Sequence, residues 1–218
     1  MKYQYVKNDC KLHLGCGNVY LNGYVNIDLP FSKYLDDKKI RVDLEADITK
    51  LNYPTESIDE IRSHHVFEHF DRITSLCLLI KWYDWLKIGG MLIIETPDFK
   101  KCAKYFLFNN DNKNRLKLIR HIFGSNEADW AIHCDGWYKE KFKLFLTSLG
   151  FRKVFFRYSK WHGVYSIIVT AKKLPTIKTR GELIQTCNHL LHYSLIDDSD
   201  SEKKLMNKWM EQIYSFLK

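Results

Sequence analysis

The chain of 218 residues suits one domain with a substantial buried core, and its 45% hydrophobic and 15% aromatic residues indicate a folded protein. No apolar run approaches the roughly 20 residues of a membrane span, and residues 1–9 lack the apolar stretch of a secretory signal. The six cysteines form no Cys-x-x-Cys pair, so the sequence predicts a reduced, cytoplasmic protein without a zinc knot or a redox motif.

The formal net charge of +8 has two interpretations. An excess of cations attracts a phosphorylated, nucleotide-linked or anionic substrate, or an acidic membrane surface. The alternative is a lysine-rich solvated surface, which we favour because the basic residues are spread along the chain. No arginine-rich block or base-stacking signature is present, so the sequence predicts no nucleic-acid partner.

Strand-like and helical segments alternate over the first hundred residues. The strand-like runs lie at 12–14, 25–28, 41–44, 60–63 and 91–95. Residues 73–86 carry apolar side chains at helical spacing, and Gly89-Gly90 is expected to end that helix. This alternation predicts a parallel sheet covered on both faces.

The pattern changes beyond Pro97. Residues 98–122 are aromatic and polar and predict an insertion of one or two helices, followed by a loop over 124–137. The remaining segments predict an amphipathic helix over 138–149, an antiparallel hairpin of 153–158 and 165–171 with its turn at 159–163, and two helices over 179–195 and 201–217. Asp200 or Ser201 is expected to cap the last helix.

A glycine pair is the most informative local feature. Gly15 and Gly17 follow the first strand-like run, and Asp28 ends the second. Glycines let the backbone approach a ligand closely, and a carboxylate at a strand end accepts hydrogen bonds from ribose hydroxyls, so the pair predicts a nucleoside-containing cofactor. The dinucleotide motif does not fit, because its third glycine would fall at Tyr20. Cys16 is a small residue for a crowded turn rather than a nucleophile.

The connection between these two runs is unusually short. Only residues 18–24 separate Gly17 from the second strand. A crossover between parallel neighbours normally takes a dozen residues or more, with a helix. We therefore expect an extended loop without the usual helix.

Six segments in order resemble the S-adenosylmethionine-dependent methyltransferases of the seven-stranded Rossmann-like class. They are Leu-His-Leu-Gly-Cys-Gly at 12–17, Val-Asn-Ile-Asp at 25–28, Ala-Asp-Ile-Thr-Lys-Leu at 46–51, Ser-Ile-Asp-Glu-Ile at 57–61 with His-Val-Phe-Glu-His at 65–69, Leu-Lys-Ile-Gly-Gly at 86–90, and Ser-Leu-Gly-Phe at 148–151. The short loop is similar to that of small methyltransferases often found with glycan-assembly enzymes.

The resemblance implies an α/β fold, a mostly parallel Rossmann-like sheet with a terminal antiparallel hairpin and a C-terminal helical extension. It implies a methyltransferase domain over 1–174 and the helical extension over 175–218. The implied cofactor is S-adenosyl-L-methionine, with the acidic residue at 47 against the adenine. The implied cofactor-binding residues are Gly15, Cys16, Gly17, Asp28, Leu29, Asp47, Ile48 and His64.

Methyl transfer to an alcohol requires removal of the alcohol's proton, which a histidine or a carboxylate near the methyl group can perform. Residues 65–69 also match the inverted zinc-protease motif, histidine-x-x-glutamate-histidine. We predict no metal here, because the segment falls where the methyltransferase pattern continues and no third ligand is evident. His65 and Glu68 are candidate catalytic residues, with a structural polar role as the alternative, and His69 is assigned to packing or hydrogen bonding.

His133 lies on the acceptor-side loop, where relatives often carry a histidine just before a helix. We favour it over His65 as the general base, because this loop can close over a bulky sugar. His162 is expected to be exposed on the hairpin turn. Candidates for an aromatic wall, with packing as the alternative, are Trp130, Trp137 and Tyr138.

The favoured function is O-methylation of a small acceptor, a saccharide or glycan terminus. The alternatives are N-methylation of a small molecule or protein, a methyltransferase that docks RNA, and a non-catalytic cofactor-fold module. Ser63-His64-His65-Val66 replaces the Asn/Asp-Pro-Pro-Tyr/Phe segment of enzymes that methylate nucleic-acid bases, which counts against that substrate. The oligomeric state stays open, with a homodimer through the C-terminal helices as one option.

Overall fold

A computed structural model describes residues 10–30, 41–175 and 178–218. The described residues form a seven-stranded sheet in the order β3-β2-β1-β4-β5-β7-β6. Strands β1 to β5 are parallel, and β7 pairs antiparallel with both β5 and β6. This confirms the predicted fold class. The strands are β1 Lys11–Leu14, β2 Val25–Asp28, β3 Leu44–Glu45, β4 Ile58–His64, β5 Leu86–Pro97, β6 Phe151–Trp161 and β7 Val164–Lys173.

The predicted helices are present, and the insertion after Pro97 contains two of them. The described α-helices are α1 Arg72–Trp85, α2 Phe99–Phe108, α3 Asn112–Phe123, α4 Lys139–Ser148, α5 Arg180–His192 and α6 Asp200–Phe216. The cap of α6 was predicted wrongly: Ser199, one residue earlier, accepts the hydrogen bond from the Glu202 amide. No helix in the described part of the chain is long and apolar enough to cross a membrane.

Gly89-Gly90 does not end α1, contrary to expectation. The helix ends at Trp85, and the two glycines lie inside β5. The pairing with β4 is irregular there, since Ile58 pairs with Leu86 and Glu60 with Met91. Gly89 adopts a φ of 84°, which glycine tolerates and a bulged strand uses.

One face of the sheet carries the apolar core. Leu12, Ile61, Leu92 and Ala171 are paired side by side across β1, β4, β5 and β7, and each is almost fully buried. Four helices contribute side chains to the same cluster. Examples are Trp82 of α1, Phe142 of α4, Leu190 of α5 and Ile213 of α6. Full burial of such a side chain contributes about 1.5–3 kcal/mol. The C-terminal helices α5 and α6 thus share the core of the sheet.

The centre of the opposite face is polar but still buried, since His13 and Asn26 are each 0% exposed. Paired residues on β1, β2 and β4 there include His13, Asn26 and Arg62. The described residues between β1 and β2 contain turns and no helix. The short connection predicted from residues 18–24 therefore leaves this face without the usual first helix.

Candidate active site

The glycine turn folds back onto the end of β2. The Gly15 and Cys16 amides donate to the Ile27 carbonyl at 2.8 and 3.1 Å. The Gly17 amide donates to Asp28 Oδ2 at 2.6 Å, and the Leu29 amide to Asp28 Oδ1 at 2.7 Å. The buried Asp28 carboxylate is therefore fixed beside the glycines.

Gly15 is required by its surroundings. Its φ of +69° favours glycine, and a Cβ at this position would lie 2.1 Å from Val66 Cγ2. The segment that follows β4 thus packs directly against the glycine turn. Gly17 also has a positive φ, and a Cβ there would meet nothing within 4 Å. The outer side of this turn is open.

The other predicted cofactor residues lie at neighbouring strand ends. Asp47 follows β3 and accepts hydrogen bonds from the Thr49 amide at 2.9 Å and the Thr49 hydroxyl at 2.7 Å, which starts a short 3₁₀ turn with Ile48. His64 ends β4, and burial lowers its pKa to about 4 despite the nearby Glu95 carboxylate. In open α/β sheets, ligands bind outside the carboxyl ends of the strands. The predicted residues share that edge.

Cys16 is buried within the same turn. Burial and the nearby Asp28 carboxylate raise the pKa of its thiol to about 12. The side chain is therefore a neutral thiol near neutral pH. This supports a packing role, as the sequence indicates, because the reactive form of cysteine is the thiolate.

A cluster of histidines and carboxylates lies next to this edge. His65 has a φ of 50°, unusual for a residue with a Cβ. Its Nδ1 is 3.2 Å from Glu68 Oε1 and its Nε2 is 3.7 Å from Glu95 Oε1. Burial lowers its pKa, but hydrogen bonds and charge from Glu68 and Glu95 outweigh that effect and raise it to about 10. His65 is therefore a cation at neutral pH.

Glu68 is the buried centre of the cluster. It is 1% exposed, and its Oε2 has no hydrogen-bond partner within the described parts of the chain. Its backbone carbonyl accepts hydrogen bonds from the amides of Cys134 at 2.8 Å and Asp135 at 3.3 Å. These bonds fix the acceptor-side loop to the turn after β4.

His133 is brought to Glu68 by that loop. Its Nδ1 lies 3.2 Å from the Ile122 carbonyl, which only accepts, so Nδ1 carries the proton and Nε2 has the lone pair. Nε2 is 3.9 Å from Glu68 Oε1. Burial lowers the pKa of His133. The side chain is thus a neutral imidazole with its basic nitrogen facing a carboxylate.

His69 joins the same group. Its Nδ1 donates to the Ile132 carbonyl at 3.1 Å, and its ring centroid is 4.7 Å from that of His133. One ligand atom each from Glu68, His69 and His133 lie within 4.8 Å of one another, so these three residues could hold a metal ion. His133 is thus the third possible metal ligand, which was not evident from the sequence. The 65–69 motif itself is not an α-helix, since residues 67–69 form a 3₁₀ turn.

A cavity of about 500 Å³ opens over the cluster. Besides the three predicted catalytic residues, its wall contains side chains that the sequence analysis did not assign to the site, from α3 and the β6–β7 hairpin. The lining residues are His65, Glu68, Lys117, Arg120, His121, His133, Trp161, His162 and Val164. The only sequence signal for the α3 residues is a run of basic residues without an acidic one.

The predicted aromatic wall is wrong for Trp137. That side chain is 1% exposed and packs against Phe67 and Phe142, so the packing alternative applies. Tyr138 lines a different cavity, beside Phe99. The exposed aromatic residue of the site is Trp161, at the tip of the hairpin, where β6 runs further than predicted.

Comparisons with known proteins agree with this geometry. Residues 12–94 match a family model described as a methyltransferase domain. A SAM-dependent methyltransferase from Methanosarcina mazei is 16% identical, with 77% of this chain and 93% of that chain covered and a TM-score of 0.51. A SAM-dependent methyltransferase from Archaeoglobus fulgidus is 17% identical, with 77% and 87% covered and a TM-score of 0.50. A search of curated proteins finds no match.

The two solved structures establish the fold, and the family model covers the strands that carry the glycine turn, Asp28, Asp47 and the residues after β4. Residues 12–94 are therefore similar to a methyltransferase domain, and the fold is that of the two S-adenosylmethionine-dependent methyltransferases.

Proposed function

We propose that the protein is an S-adenosylmethionine-dependent methyltransferase that transfers the methyl group to a hydroxyl of a small acceptor, a saccharide or glycan terminus, with His133 as general base. The observation that carries this proposal is the neutral imidazole beside Glu68 in the wall of a cavity next to the cofactor edge. S-adenosylmethionine supplies an electrophilic methyl group when bound. The chain must then align the acceptor hydroxyl, exclude water and take its proton.

Gly15 to Gly17 and Asp28 are the residues proposed to hold the cofactor. A turn with positive φ at both glycines brings backbone close to a ligand, and the buried Asp28 carboxylate suits the ribose hydroxyls. Asp47 and Ile48 at the next strand end are proposed to contact the adenine, with Leu29, Cys16 and His64 completing the site.

The choice of His133 over His65 follows from charge. A base must be unprotonated before the reaction, and His65, whose pKa is raised to about 10, is not. His133 has a lowered pKa and offers Nε2. A hydroxyl oxygen between Nε2 and Glu68 Oε1, which are 3.9 Å apart, can donate to either. Glu68 is then placed to stabilise the imidazolium that forms.

We propose that the reaction needs no metal, although Glu68, His69 and His133 come together. Glu68 Oε1 already receives a hydrogen bond from protonated His65, which offsets its charge. A divalent cation would have to compete with that neighbouring positive charge and occupy the nitrogen proposed as base. The His65–His69 motif alone supplies no ligand geometry, because its residues are not on an α-helix.

The saccharide acceptor rests on the resemblance of the short loop to methyltransferases found with glycan-assembly enzymes. A cavity of about 500 Å³ is within the usual range for small-molecule sites. N-methylation remains the competing reaction, since a neutral base serves an ammonium acceptor as well. RNA docking and a non-catalytic role are the further alternatives, and the cytoplasmic location and the oligomeric state stay predictions.

The test is incubation with S-adenosylmethionine labelled in its methyl group and a panel of nucleotide sugars, glycans, amines and RNA. We expect label in an alkali-stable methyl ether of a sugar. Label on nitrogen or in RNA would contradict the proposed acceptor. Label in no acceptor while the cofactor still binds would favour the non-catalytic alternative.

A further inference from the structure

Two cations of α3 face the cavity without a counter-charge. Lys117 and Arg120 both line it and are three residues apart, so they share one side of the helix. Among the described residues, neither side chain lies within ion-pair distance of a carboxylate, and neither makes a hydrogen bond or a ring contact. Their charges are therefore available to a ligand.

The rest of the wall does not neutralise them. Glu68 is the one carboxylate among the described lining residues, and it is buried with its Oε1 bonded to His65. The cavity therefore presents net positive charge, which concentrates anions in a partly enclosed space.

An aromatic side chain also lines the cavity. Trp161 is 72% exposed at the end of β6, next to the hairpin turn at His162 and Gly163. Ligand pockets are commonly lined by aromatic side chains. The negative face of an indole attracts the positively polarised C–H bonds on one face of a sugar ring.

We propose that the acceptor carries an anionic group, a phosphate or a carboxylate, that binds between Lys117 and Arg120 while its ring packs on Trp161. The proposal rests on the proposed function for the identity of this cavity as the acceptor site. The guanidinium of Arg120 can donate two parallel hydrogen bonds to either anion, and Lys117 adds a point charge. The methylated hydroxyl would then lie deeper in the cavity, toward His133.

Binding, rather than turnover, is the sharpest test. Calorimetry with the full chain and the demethylated cofactor product would measure the affinity for inorganic phosphate and for matched neutral and anionic sugars. Glucose is compared with glucose 6-phosphate and with glucuronate, and galactose with galactose 6-phosphate and with galacturonate. The variants are Lys117→Gln, Arg120→Gln and Trp161→Ala. Lys113→Gln is the control, because Lys113 is an exposed lysine of the same helix that does not line the cavity.

We expect the anionic member of each pair to bind more tightly. Lys117→Gln and Arg120→Gln should each weaken phosphate and anionic-sugar binding about tenfold or more. Trp161→Ala should weaken sugar phosphates but leave inorganic phosphate unchanged, and Lys113→Gln should change neither. Absence of binding by all anions, equal binding of neutral partners, or phosphate binding unchanged in both cation variants would overturn the proposal.

A competition experiment between RNA and sugar phosphates distinguishes the two possible sources of the anionic group. RNA competing for Lys117 and Arg120 more strongly than any sugar phosphate would replace the proposal by nucleic-acid docking. If these variants lose anion binding but no hydroxyl is methylated, the proposed function fails and the anion site stands. If sugar hydroxyls are methylated and anions do not bind, the proposed function stands and the anion site fails.

Discussion

Replacement of His133 by alanine should affect the chemical step and spare the cofactor. The imidazole is mostly buried, with 11% of its side chain exposed, and its Nδ1–H is fixed by the Ile122 carbonyl. Its Nε2 is the neutral basic nitrogen nearest Glu68 in the cavity wall. No predicted cofactor residue bonds to it, so the variant should bind S-adenosylmethionine with nearly unchanged affinity.

The expected loss in turnover is about 10²–10⁴-fold, the usual contribution of a general base. This corresponds to about 2.7–5.4 kcal/mol in the activation free energy. In the wild type, kcat/KM should fall as pH decreases through a pKa below 6.5, because burial lowers the pKa of His133 and protonation removes the base. Between that pKa and pH 8, kcat/KM should not change with pH.

The assay is methyl transfer to the true acceptor, followed with labelled cofactor across the pH range. His192→Ala is the control, since His192 is an exposed histidine of α5 that does not line the cavity and should retain nearly full activity. Full activity of His133→Ala, or an equal loss in the control, would refute the base assignment. His65, Glu68 or an acceptor that needs no base would then replace it.

Three further predictions concern the turn, the charge of His65 and the metal. Gly15→Ala should lower the free energy of unfolding by at least about 1–3 kcal/mol more than Gly23→Ala in denaturant titrations, because both have positive φ but only Gly15 would place its Cβ 2.1 Å from a valine methyl group; equal losses would contradict the close packing. His65 should remain protonated at pH 8 by NMR and should stabilise the fold most fully below its ordinary pKa of 6.5, with that contribution lost as pH rises through about 10; titration near 6.5 would show that its carboxylate contacts are absent. Protein purified without a histidine tag should contain far less than one zinc per chain and stay active in EDTA; stoichiometric zinc that is lost in Glu68→Gln or His69→Ala would show a metal centre.

Local patterns were sufficient for most of the fold. The β2 strand and the turn at Gly15 to Gly17 were predicted because each depends on adjacent residues: apolar runs, glycines and a terminal carboxylate. The prediction that Gly89-Gly90 ends α1 is wrong because a helix end and a strand bulge both use a positive φ, which Gly89 adopts. The sequence also does not decide between Ser199 and Asp200 as the cap of α6, since both side chains cap helices well.

The site required contacts between distant segments. His65, Glu68 and His133 were identified as separate candidates, but their different charges depend on burial and on Glu95, which only the fold reveals. The approach of His133 to His69 follows from backbone bonds between the loop and Glu68, which no spacing encodes. The sequence does not distinguish the cations of α3 from other surface charges, because their place in the cavity wall depends on how the helix packs in the fold.

The most direct test of the account is calorimetric binding of S-adenosylmethionine and its demethylated product. We expect one site per chain in the wild type, weakened about tenfold to 150-fold in Asp28→Asn, because the amide loses charge-assisted acceptance worth about 1.5–3 kcal/mol. Asp59→Asn is the control, since Asp59 pairs with Lys87 away from the glycine turn and should bind normally. No binding by the wild type, or equal binding by Asp28→Asn, would contradict the assignment of the glycine turn and Asp28 as the cofactor site.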